Sequence, residues 1–243
     1  MRILCIETSA RLGSVALAES SQVIVEKYFT GDQCHTSDLI PVINDLCNRT
    51  GTKPVDIDEI YVSAGPGSFT GLRVGITAAK AIAFTCDAKI VPVPSTDVTV
   101  LNVGNLINRE LSAVKNVAVV MDAKKGQVYA AVFEKTDGES ELVPGFRTLV
   151  QPSVMTPAEL LSLTARPLHL LGDGLRWHGK ALQDSHVFIL DESRWQPLAR
   201  NVLPCGLRRA RAGLHVHPDQ LIPIYLRRPE AEVKWEKLHG AGQ

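Results

Sequence analysis

The chain has 243 residues, 45% of them apolar, and 26 Lys/Arg balance 26 Asp/Glu, so it is neutral at pH 7. That is enough apolar material for one large domain or two lobes, and neutrality argues against a chain that grips nucleic acid alone through a basic excess. No apolar run approaches the roughly 20 residues of a membrane helix, and Glu7 comes too early for a signal peptide, so the expectation is a cytoplasmic protein with no membrane contact.

Residues 2–8, RILCIET, are a short run rich in branched side chains, as in a buried strand. Residues 14–20 and 22–29 follow with almost nothing between them and read as a hairpin. In HTSDLIPVINDLCNRTG, Leu39, Ile40, Ile43, Leu46 and Cys47 fall on one helical face. Ser37 is placed to cap that helix, Pro41 to sit in its first turn and Gly51 to end it. Residues 59–65 predict another strand. The glycine-rich turn AGPGSFTG and a helix to about Thr85 follow, then a strand at 89–93 and a helix capped by Ser95.

A similar plan then returns. VAVVMDAKKGQVYAAVFE (117–134) sets a strand, an acidic residue, a turn and a second strand, as ILCIETSARLGSVALAE (3–19) does. Glu7 matches Asp122, Gly13 matches Gly126 and Val15 matches Val128. Tyr129 and Phe133 alternate with small residues as strand core does. Residues 141–150 can supply a third strand, and helical or strand-like pieces follow at 156–163, 168–172 and 198–210. The economical reading is two lobes on one plan: 1–112 with a returning helix near 197–211, 113–196, and an extended tail at 212–243.

The five cysteines form no C-x-x-C pair, which predicts reduced thiols, several of them buried. Residues 194–243 hold nine Lys/Arg against four Asp/Glu. The run Arg208–Arg211 ends a predicted helix, where it either complements the helix dipole or touches phosphate.

The glycine-rich turn fits neither phosphate-loop pattern. No Lys-Ser or Lys-Thr follows it, and Thr70 stands where a dinucleotide fingerprint needs its third glycine. The helix after it is more informative. Gly71, Gly75, Ala79 and Ala83 are spaced by four and form a nearly smooth ridge. Glycine inside a helix costs about 1 kcal/mol against alanine, and close packing is the natural compensation. That packing is either on the protein's own sheet or on a partner helix.

GPGSFTGLRVG (65–75) resembles the signature of the bacterial TsaB (YeaZ) family. ILCIETS (3–9), HTSDLIP (35–41), MDAKKGQVYAAVF (121–133), GDG (172–174) and PIYLR (223–227) are similar to further segments of that family, in order along most of the chain. The resemblance implies an α/β fold of two ribonuclease H-like lobes, as in the actin and sugar-kinase superfamily. It implies a role in forming threonylcarbamoyladenosine beside the tRNA anticodon, as a non-catalytic scaffold and activator of TsaD, with a TsaE-type ATPase joining. The partner contact it implies uses helices matching 36–48 and 71–85. Ser37, Leu39, Ile43, Leu46, Gly71, Arg73, Gly75, Ile76, Ala79 and Ala83 are then the expected interface, and a homodimer through the same helices is expected when the chain is alone. Contact with tRNA is expected within the complex.

Two features of the sequence fit a helper. TsaD-type enzymes bind metal through H-x-x-x-H on the first helix, and here His35 is followed four residues later by Leu39. His215 and His217 have no evident third ligand, so no metal site is assigned. Glu7 departs from the family's usual aspartate, though Glu7 and Asp122, with Thr8 beside them, could face across a cleft and hold hydrated magnesium. No cofactor is required in this reading, and ATP or ADP with magnesium would sit at the complex interface. The rival reading is an autonomous nucleotide-hydrolysing or kinase-like enzyme, with no catalytic set visible to support it.

Overall fold

In the computed structural model, residues 1–30, 34–106, 114–138, 142–227 and 235 are described. The first sheet combines β1 (Arg2–Glu7), β2 (Leu12–Glu19), β3 (Gln22–Thr30), β4 (Ile57–Gly65) and β5 (Lys89–Pro94), in the order β3-β2-β1-β4-β5. β1, β2 and β3 form an antiparallel meander. β4 and β5 then add in parallel after crossover helices.

The second sheet repeats this. β6 (Asn116–Asp122), β7 (Val128–Lys135), β8 (Phe146–Met155), β9 (Leu168–Leu171) and β10 (Val187–Ile189) run in the order β8-β7-β6-β9-β10, again a meander followed by two parallel strands. This doubled order is the expected pair of ribonuclease H-like lobes. Glu7 and Asp122 end the first strand of each sheet. The short edge strand β10 escapes sequence reading because three residues are too few to show a period.

α1 (Cys34–Thr50) and α2 (Phe69–Cys86) cover one face of the first sheet. α1 begins before Ser37, so that residue is not its cap. Its hydroxyl instead lies 2.9 Å from Asp38 Oδ1, and Pro41 falls inside the helix. Gly51 follows the last turn at φ +61°, the left-handed conformation that ends helices. Ser68 caps α2 by accepting from the Gly71 N–H at 3.2 Å.

α3 (Ser95–Val100) has Pro94 at its cap, so Ser95 lies one residue inside, its hydroxyl buried without a partner. Between the sheets, α3 and the returning α6 (Ala199–Arg211) share a core with β1, β4, β5, β6 and β7. α4 (Pro157–Leu163) and α5 (Leu175–His178) cover the outer face of the second sheet. Thr156 caps α4 with Glu159 completing the reciprocal pair. Cys5, Cys47 and Cys205 are buried free thiols, and Cys86 is half-buried and also free.

Among the described residues, no helix is long and apolar enough to cross a membrane.

Candidate functional site: the interlobe cleft and the outer helix pair

The strand ends of the two sheets open into a cleft of about 710 Å³. One wall comes from the first lobe: Ser9, Arg11, the 66–69 turn, Leu72 and Arg73. The other comes from the second: Asp122, Lys124, Tyr129, Asp173 and Trp177. Residues 224–227 line it as well.

Glu7 does not reach this cleft. Its carboxylate is fully buried. One oxygen accepts from the Ser9 N–H and the Ser9 hydroxyl, both at 2.6 Å, and the other accepts from the Ser63 hydroxyl. Burial pushes its pKa above the ordinary carboxylate value, and the serine hydrogen bonds oppose that only in part. Asp122 does line the cleft, but it is already engaged. Lys124 Nζ lies 2.7 Å away, the Lys124 N–H donates at 2.9 Å and His178 Nε2 is 3.1 Å away. Burial would raise its pKa, yet the hydrogen bonds from Lys124 and His178 and the Lys124 charge outweigh it and hold the carboxylate below its usual value. Asp173, by contrast, is pushed up by burial and then by the nearby Asp122 charge.

These residues do not fit the expected magnesium pair. One carboxylate is sealed, the other is neutralised by an ammonium, and among the described residues no group of three or more His, Cys, Asp or Glu could hold a metal ion. His215 and His217 do not converge either. His215 pairs with Glu59 at 3.0 Å, while His217 packs edge-on to Phe84 and sits near Asp219. The His35 side chain lies outside the described residues. The cleft's cations are committed internally too: Arg73 lies over the Phe69 ring and donates to the Tyr225 hydroxyl, and Arg227 donates to Ala123 O and Gln127 Oε1.

The small-residue ridge faces inward, which corrects the expected partner strip. A Cβ on Gly71 would lie 2.0 Å from Thr8 O, and one on Gly75 would lie 2.2 Å from Thr8 Oγ1. Ala79 and Ala83 are buried in the same core, and so are Ile76 and, on α1, Leu39, Ile43 and Leu46. The ridge brings α2 onto the end of β1, with Ser68 N–H donating to Ser9 O at 2.7 Å. Eight of the ten expected interface residues are therefore packed inside the monomer, and only Ser37 and Arg73 are exposed.

The opposite face of the same helices is open. On α1 it carries Ser37, Ile40, Pro41, Asn44 and Asn48, and on α2 Arg73, Thr77, Ala81 and Phe84. Ile40 is 53% and Phe84 59% exposed. Sequence reading missed this face, although Phe84 stands off the ridge at helical spacing from Thr77 and Ala81. Arg209 of the basic run forms a buried pair with Asp97 at 2.9 Å, where burial raises the Asp97 pKa against the pull of the guanidinium.

The family model described as "TsaD: tRNA N6-adenosine threonylcarbamoyltransferase" matches residues 25–235. The tRNA threonylcarbamoyladenosine biosynthesis protein TsaB of Bacillus subtilis is 29% identical over 238 residues, 97% of this chain and 98% of that protein. The protein of the same name from Escherichia coli is 26% identical, covering 99% of each. In structure, YeaZ from Pseudomonas aeruginosa superposes with a TM-score of 0.76 at 23% identity, covering 93% of this chain and 99% of that one. Matched over most of its length by that model and nearly end to end by TsaB proteins, the chain belongs to the tRNA threonylcarbamoyltransferase family that TsaB and TsaD share.

Proposed function

We propose that the chain is a non-catalytic partner of a TsaD-type transferase in forming threonylcarbamoyladenosine in tRNA, which it scaffolds and activates. The observation that carries this reading is the state of the carboxylates that end the two first strands and of the one beside them in the cleft. Glu7 is enclosed by Ser9 and Ser63, and Asp122 is paired with Lys124. With Asp122 held by Lys124, and Asp173 pushed towards its protonated form by burial and the Asp122 charge, the cleft offers no pair of free carboxylates to place a metal-bound water, the usual requirement for phosphoryl chemistry. ATP or ADP with magnesium belongs to the partners or to the contact between them, and a TsaE-type ATPase joins there.

The contact itself uses the outer faces of α1 and α2. Ile40, Pro41, Thr77, Ala81 and Phe84 form a strip without charge of its own, with Ser37, Asn44, Arg73 and the partly exposed Lys80 at its rim. Such a strip suits a second pair of helices packing as a four-helix bundle. The same face pairs two copies when the transferase is absent. Contact with tRNA arises within the assembly, consistent with a neutral chain.

Two measurements test the reading. Depletion of the chain lowers threonylcarbamoyladenosine in cellular tRNA, and Ala81→Arg fails to restore it while folding normally. Full restoration by Ala81→Arg would remove the interface. Steady ADP release by the isolated protein with magnesium would remove the non-catalytic role.

A further inference from the structure

We infer that residues 214–227 are a strap that ties the two lobes across the mouth of the cleft and so sets its width. The segment starts on the first lobe. Val216 pairs with Ile90 at the open edge of β5, and Leu221 is buried in the core under α1 and α2. It then turns towards the cleft. Ile224 N–H donates to Ala64 O at 2.6 Å, beside the glycine-rich turn. The Tyr225 ring lies against Phe69 with centroids 5.1 Å apart, and its hydroxyl accepts from Arg73 Nε at 3.1 Å.

Two residues later the chain is on the other lobe. The Arg227 guanidinium donates to Ala123 O and to Gln127 Oε1, both in the turn between β6 and β7. That turn is closed by its own backbone, as Ala123 N–H donates to Gln127 O at 3.1 Å and Gln127 N–H to Lys124 O at 3.0 Å. The strap thus holds the first lobe by backbone hydrogen bonds and a tilted ring contact, and the second by a planar fork whose donors are fixed in one geometry.

The position matters for the cleft. Ile224, Tyr225, Leu226 and Arg227 are themselves part of its lining. The shared core around α3 and α6 joins the lobes elsewhere, so a tie across the mouth limits rotation about that join. Widening the cleft requires letting go of Arg227. A molecule that competes for Ala123 O or Gln127 would loosen the lobes without touching the core. This inference is independent of the partner proposed above.

The test is hydrogen exchange followed by mass spectrometry on the full chain, comparing Arg227→Ala and Tyr225→Ala with the parent. If the strap ties the lobes, each variant changes exchange on the far lobe. Arg227→Ala speeds exchange at residues 64–72, and Tyr225→Ala speeds it at residues 123–129, each by about five-fold or more, the lower end of ordinary site-to-site coupling. Exchange in β1 and β6 stays at the parent rate and reports intact lobes. Gln127→Ala removes only one acceptor at the far anchor, and it shows the same pattern at smaller amplitude even if Arg227→Ala folds poorly. Effects confined to the lobe that carries the altered contact, in Tyr225→Ala and Gln127→Ala alike, would overturn the inference.

Discussion

Replacing Gly75 with alanine asks which neighbour the small-residue ridge serves. A Cβ there would sit 2.2 Å from Thr8 Oγ1 and 3.4 Å from Thr8 Cβ. Thr8 is fully buried and its β-branched side chain is stiff at χ1, so the overlap is not cheaply relieved. Alanine favours the helix by about 1 kcal/mol, whereas overpacking a core costs about 1–3 kcal/mol. A contact at 2.2 Å puts the overpacking at the top of that range, so the expected balance is a loss of about 2 kcal/mol, a fall in Tm of roughly 4–8 °C for a chain of this size.

Thr8→Ala removes the offending oxygen and leaves the nearest neighbour, the Cβ of residue 8, at 3.4 Å, an ordinary contact. Gly75→Ala in that background should recover the helix gain of up to about 1 kcal/mol. Gly71→Ala has no such remedy, because its Cβ meets the Thr8 carbonyl oxygen at 2.0 Å. It should lose about 3 kcal/mol or more with or without Thr8→Ala. Thermal and urea unfolding of the three single and two double variants measure this. A Gly75→Ala protein that melts with the parent, and is indifferent to Thr8→Ala, would refute the inward packing and return the ridge to a partner.

The outer face predicts the opposite pattern. Phe84→Ala and Thr77→Arg should weaken capture of a TsaD-type transferase at least ten-fold while shifting the monomer Tm by under about 2 °C, the usual limit for surface changes; biosensor binding and calorimetry separate the two. Glu7→Gln should fold and should gain on the parent as pH rises. The raised pKa of Glu7 means the folded state holds its proton above the unfolded value, so the parent loses stability as pH climbs from the ordinary carboxylate range near 4.3. Urea midpoints at pH 4 and pH 8 that differ from the parent by the same amount would contradict this. Asp97→Asn should cost about 3–5 kcal/mol by stranding Arg209, and Asp97→Leu with Arg209→Met should recover most of it; an unchanged melt for Asp97→Asn would show the pair to be dispensable.

Much of the architecture was legible locally. Strand runs, helical spacing and turn residues are properties of neighbours in sequence, and β1 to β5, α1, α2, α4 and α6 stand close to where those patterns put them. The doubling was legible for the same reason, since Glu7 and Asp122 each end a first strand before a turn. Ser37 has the residue type of a cap but lies inside α1, because a capping residue type does not say whether the helix has already begun.

What periodicity cannot say is which way a face points. A smooth ridge at four-residue spacing fits a sheet and a partner helix equally, and only the approach of Thr8 to Gly71 and Gly75 decides it. Leu39, Ile43 and Leu46 announce an apolar face, and the fold alone turns that face inward and leaves Ile40 outside. The fate of Glu7 rests on Ser63, 56 residues away in sequence, and the strap rests on Arg227 meeting a turn 100 residues before it. Local chemistry determines the elements and their faces. Contacts between residues far apart in the chain determine which carboxylate is sealed, which helix face is free and what spans the cleft, because burial and pairing exist only once distant segments have met.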